Sequence, residues 1–147
     1  MKKLIAVIFV SSLALSACGA REHASISAIT PPTSKRACTG DEKFHIQKLV
    51  DYDIKLLREG KNVQAYALSS KKFKERANEN QFENLLGDYY MLTQSTKTEY
   101  KECTAYKGAY EQQIRVFEED LWWRMTFTVE HEGTKFAVGA VSLDGLN

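Results

Sequence analysis

One carboxylate interrupts an otherwise apolar helical stripe. Across residues 41–60, DEKFHIQKLVDYDIKLLREG, the side chains Ile46, Leu49, Val50, Ile54 and Leu57 recur at spacings of three and four, and Asp53 falls near the centre of that face. A carboxyl held on such a face loses hydration, so its pKa rises and it can serve as a general base. Three other fates stay open: satisfaction by a tyrosine hydroxyl, pairing with Arg124, or a helix rotated so that Asp53 reaches the rim. No second polar partner is in view, and a base alone makes no mechanism. The chain is therefore read as carrying no catalytic set, with Asp53 as the alternative catalytic residue.

The strong catalytic signatures are missing from the sequence. It has no GxSxG elbow, no HExxH pair and no glycine-rich phosphate loop. His23 sits in a polar segment without a partner pattern and is expected to be solvated. His45, on the flank of the first helix, and His131, at the mouth of the last hairpin, are expected at the surface. Neither Cys38 nor Cys103 has a second cysteine or a histidine at ligand spacing, which argues against zinc. No metal and no cofactor are expected.

The chain opens with Met1, Lys2 and Lys3, followed by residues 4–17 without a charge. A basic start and an apolar run form a secretory signal, and the run is shorter than the roughly 20 residues a membrane-spanning helix needs. Leu15-Ser16-Ala17-Cys18 resembles the lipobox of bacterial lipoproteins, whose small residues fit the signal peptidase and whose cysteine takes a diacylglyceryl group. That resemblance implies lipidation of Cys18 and anchoring by two or more acyl chains, which hold stably where one does not. The competing interpretation is an ordinary signal peptide cut near Ala17. Gly19 and Ala20 follow the cysteine where an aspartate would signal inner-membrane retention, so the resemblance implies an outer-membrane anchor with the domain in the periplasm. Exposure at the cell surface stays open. In that oxidising compartment Cys38 and Cys103 are expected to form a disulfide, the alternative being two free thiols.

Of 20 basic and 19 acidic residues, the signal removes Lys2 and Lys3, leaving the mature chain nearly neutral. Such a balance points away from nucleic acid as a partner. The remaining length supports one domain with a real core. Residues 18–37 hold both prolines and only two bulky apolar side chains, Ile26 and Ile29, and read as a flexible tether. The expected organisation is a signal peptide over 1–17, a lipidated tether over 18–37 and one domain over 38–147.

Gly60 is expected to cap the first helix and Asn62 to be the N-cap of a short one, which Ser69 and Ser70 interrupt. Asn80 with Glu83 reads as a capping box before the stripe Phe82, Leu85, Leu86 and Tyr89. Farther on the period changes to two: Trp123, Met125, Phe127 and Val129 alternate with Arg124, Thr126, Thr128 and Glu130. Residues 135–143 return as a strand, and residues 98–106 and 112–117 read as two weaker strands around Gly108. Helices first and antiparallel strands afterwards predict an α+β domain, N-terminal helices on one face of a curved antiparallel sheet of about four strands.

The segments LLREGKNVQAYALSSKKFKER, NQFENLLG and GTKFAVGAVSLDG resemble the nuclear transport factor 2-like (cystatin-like) superfamily, although Phe136 stands where its closing strand often has tryptophan. This resemblance implies a cone enclosing an apolar pocket, in which members that isomerise or dehydrate small molecules place a carboxylate or histidine; here that would be Asp53. Aromatic residues exceed what a small core must bury, and Trp122, Tyr100 and Tyr106 are the candidates for binding a partner. The resulting expectation is a membrane-tethered envelope lipoprotein acting as a non-catalytic binding or accessory module for a protein partner or small ligand. An accessory subunit and an immunity-type inhibitor both fit it. The alternative is a small-molecule isomerase or dehydratase using Asp53.

Overall fold

The computed structural model describes residues 22–146, so Cys18 and the signal segment lie outside the described residues. A short 3-10 turn at Ile26–Ala28 comes first, then a two-residue strand, β1 (Arg36–Ala37). Five helices follow: α1 (Gly40–Arg58), α2 (Asn62–Ala67), α3 (Lys71–Lys74), α4 (Glu79–Asp88) and α5 (Tyr90–Gln94). The chain closes with β2 (Lys97–Tyr106), β3 (Ala109–Glu118), β4 (Leu121–Glu132) and β5 (Lys135–Leu146). All five strands form one antiparallel sheet in chain order. The α+β class is as expected, with one strand more than the four marked by the sequence pattern.

Helix α1 is fixed at both ends. Thr39 Oγ1 accepts from the Glu42 N–H while the Glu42 carboxylate accepts from the Thr39 N–H at 2.7 Å. At the other end Gly60 adopts φ +67° and donates to the Leu57 carbonyl, and Lys61 donates to Leu56. This is a Schellman closure, which a Cβ at position 60 would strain. Between these caps Ile46, Val50, Ile54 and Leu57 are buried against the sheet. On the sheet side Ile114 and Val116 of β3 and Met125, Phe127 and Val129 of β4 alternate inward, as the period of two requires.

Two helix starts differ from expectation. Asn62 is the first residue of α2, whose cap Lys61 makes no side-chain bond. The capping box of α4 uses Asn78 and Gln81 instead of Asn80 and Glu83. Tyr66 Oη donates to the Ala77 carbonyl at 3.0 Å, so the chain is held there and turns extended at Asn78, which makes Asn78 the available cap.

The described part of the expected tether, residues 22–37, is docked on the domain. Ile26 and Ile29 pack against the core, and the Pro32 carbonyl accepts from the Gly108 N–H at 2.8 Å. All three histidines of the chain hold this strap. His23 bonds Asp41 at 2.9 Å and stacks on Phe44, with ring centroids 4.0 Å apart. His45 Nε2 and His131 Nε2 meet the carbonyls of Ala24 and Ile26. Composition underestimates the strap because its two bulky apolar residues both pack on the core, while side chains from the domain satisfy part of its backbone. At the end of the strap β1 pairs with β2, and the next residue, Cys38, forms a disulfide with Cys103 of β2.

Candidate functional site: a cavity between helices and sheet

Asp53 and Leu57 lie four residues apart on α1 and therefore on one face, above the closing strand. Opposite them Val138, Ala140 and Val141 of β5 form a wall. Ser69 is set beside that wall because the α2–α3 link runs along β5: Ser70 N–H donates to the Val138 carbonyl, and Val138 N–H donates to Leu68. Phe73, Phe82, Leu86 and Leu92 close the far side, with Tyr89 at the α4–α5 junction. The space left between these elements is about 150 Å³.

Helix α4 is a light cover. None of its residues is buried, and it is held through Phe82, whose ring lies 5.7 Å from Tyr66 and 6.1 Å from Phe73. Few buried contacts make a segment the first to open.

The three fates left open for Asp53 resolve in the geometry. Arg124 points to the opposite, solvent side of the sheet. The tyrosine that reaches α1 is Tyr100, whose hydroxyl donates to Asp51 at 2.6 Å, with the Gln47 carbonyl also 3.0 Å away, and not to Asp53. Nor is the helix rotated toward the rim, since Asp53 is only 4 % exposed. Its carboxyl lines the cavity without an ion pair or hydrogen bond among the described residues, and desolvation alone pushes its pKa up to about 7. Within this lining the other polar side chains are Ser69 and Tyr89. The arrangement offers one proton acceptor in an apolar space, without a second carboxylate, histidine or lysine to share a reaction.

The three aromatic candidates are not gathered. Tyr100 is turned inward onto α1, because the β-bulge between Tyr100 and Cys103 puts both on the inner face. Trp122 is half-buried beside Phe117 and under the Arg115 guanidinium, 4.6 Å from its ring. Tyr106 is exposed beside Lys107. The pairings Tyr106 with Ala109 and Trp122 with Phe117 place these two eight residues apart along β3, roughly 27 Å. His45 and His131 are occupied with the strap and lie apart from the cavity lining.

The sequence pattern named Asp53 and the stripe Phe82, Leu85, Leu86 and Tyr89, all of which line the cavity. It missed Ser69, whose place depends on a bridge to a strand far along the chain. Among the described residues no group of His, Cys, Asp and Glu side chains is arranged to hold a metal ion. No family model, curated protein or solved structure matches this chain.

Proposed function

We propose that this protein is a lipid-anchored envelope module, tethered through Cys18 at the outer membrane with its domain in the periplasm, that binds a small apolar ligand between its helices and sheet. The observation that carries this reading is the apolar cavity of about 150 Å³ lined by an unpartnered buried carboxyl. A space of that size accommodates a benzene-sized body. Scattered as they are, the aromatic side chains favour a small ligand over a protein partner. The nuclear transport factor 2-like resemblance is part of the same proposal, supported by helices that precede an antiparallel meander and enclose a pocket with it.

Toluene should raise the melting temperature of the wild-type chain, and Leu57→Phe, which fills the cavity from α1, should remove the shift. A wild-type chain indifferent to toluene and to phenol alike overturns the binding reading. The anchor is tested separately by metabolic labelling with a palmitate analogue, which a Cys18→Ala variant should fail to incorporate; retained label overturns lipidation. One observation favours the second reading, an isomerase or dehydratase: a carboxyl with its pKa near 7 is suited to act as a base at neutral pH. That reading predicts that Asp53→Asn keeps ligand uptake and loses turnover.

A further inference from the structure

The polar groups that line the cavity restrict what can enter it. Asp53 is nine-tenths buried with no partner, and the hydroxyl of Ser69, itself a buried residue, makes no side-chain hydrogen bond among the described residues. These two groups ask for different things. An ionised carboxylate only accepts hydrogen bonds, whereas a serine hydroxyl with no acceptor has a proton to donate. A ligand that satisfies both must donate and accept through one small polar end, while the rest of it fills an apolar space of about 150 Å³.

We infer that the cavity selects a compact neutral alcohol or phenol, whose hydroxyl donates to Asp53 and accepts from Ser69 while its hydrocarbon body lies against Leu57, Phe82, Leu92 and Val138. This inference rests on the cavity being the ligand site. A hydrocarbon leaves both polar groups unmatched, which is costly in a buried site. An ammonium ligand could donate to Asp53 but offers Ser69 no lone pair, and it must shed a strongly held hydration shell to enter. A ligand carboxylate would face Asp53 as a like charge. Tyr89 is the other hydroxyl in the lining, and as a donor or acceptor it is compatible with an alcohol.

Phenol and toluene differ by a hydroxyl in place of a methyl and make the deciding pair. Their binding to the full chain can be followed by chemical-shift titration at pH 8, reading the amides of Leu57, Ser69 and Val138. Comparing the phenol-to-toluene ratio between wild type and variants cancels any partitioning into detergent. Wild type should prefer phenol by about tenfold, the value of one charge-assisted hydrogen bond after desolvation. Asp53→Leu should bind toluene at least as well and lose the preference, and Ser69→Ala should weaken phenol alone. Equal ratios in wild type and Asp53→Leu overturn the ligand class while leaving the cavity reading intact, as does benzylamine binding more tightly than phenol. If no probe shifts these amides, the cavity holds water only, and both readings fall.

Discussion

Asp53→Leu should raise the unfolding free energy at pH 8 by up to roughly 4 kcal/mol and flatten its dependence on pH between 4 and 7. The carboxyl of Asp53 is pushed up to about 7 in the folded chain by burial alone, against about 3.9 in an unfolded one. Between these values the folded protein keeps a proton that the unfolded chain has released, so stability falls as pH rises. Below pH 4 both states are protonated and the contribution is fully present. Above pH 7 both are ionised and it is lost. The difference between about 7 and about 3.9 corresponds to roughly 4 kcal/mol, an upper figure because the cavity can admit water. Leucine removes the buried charge, and asparagine removes the titration while leaving a polar amide unmatched. Arg36 holds the Glu42 carboxyl low despite its burial and gives stability an opposite slope at acid pH. The informative quantity is therefore the difference between wild type and variant in urea unfolding at pH 4.5, 6 and 8. Parallel profiles would mean that Asp53 is hydrated or paired in solution.

Loss of the Cys38–Cys103 bond is the other large effect. The two cysteines are 65 residues apart, and the chain-entropy relation assigns about 4 kcal/mol to closing a loop of that length. The bond also stands where the Cys38 N–H donates to the Cys103 carbonyl, beside the short β1 pairing. A Cys38→Ser, Cys103→Ser double variant should therefore unfold at lower denaturant with its strap released, and reductant should move wild type the same way. An unchanged midpoint in both experiments contradicts a stabilising cross-link. Peptide mapping without reductant should recover the linked pair from wild type.

Helix α1 and the hairpins were legible because each is a local pattern. Apolar residues at spacings of three and four end at a glycine in α1, and Gly108 and Gly133 take the positive φ their turns need. The break at Asp53 was equally plain, but its meaning depended on α4 and β5, which lie far along the chain. Tyr100 was misjudged because a bulge changes which residues share a face, and strict alternation cannot foresee an extra residue. The strap was misjudged for a different reason. Its stability comes from His45 and His131, which belong to other elements, and a local composition count does not see them. The candidate site was thus readable as a residue and a stripe, whereas the space between helices and sheet and the place of Ser69 required tertiary structure.

Asp53, unpartnered in an apolar cavity, underlies both the ligand site and the pH response. Its side-chain carbon resonance, followed by NMR across pH in the ligand-free chain, measures that state directly. A midpoint near 7 is predicted; a midpoint in the ordinary carboxylate range, near 4, would contradict it.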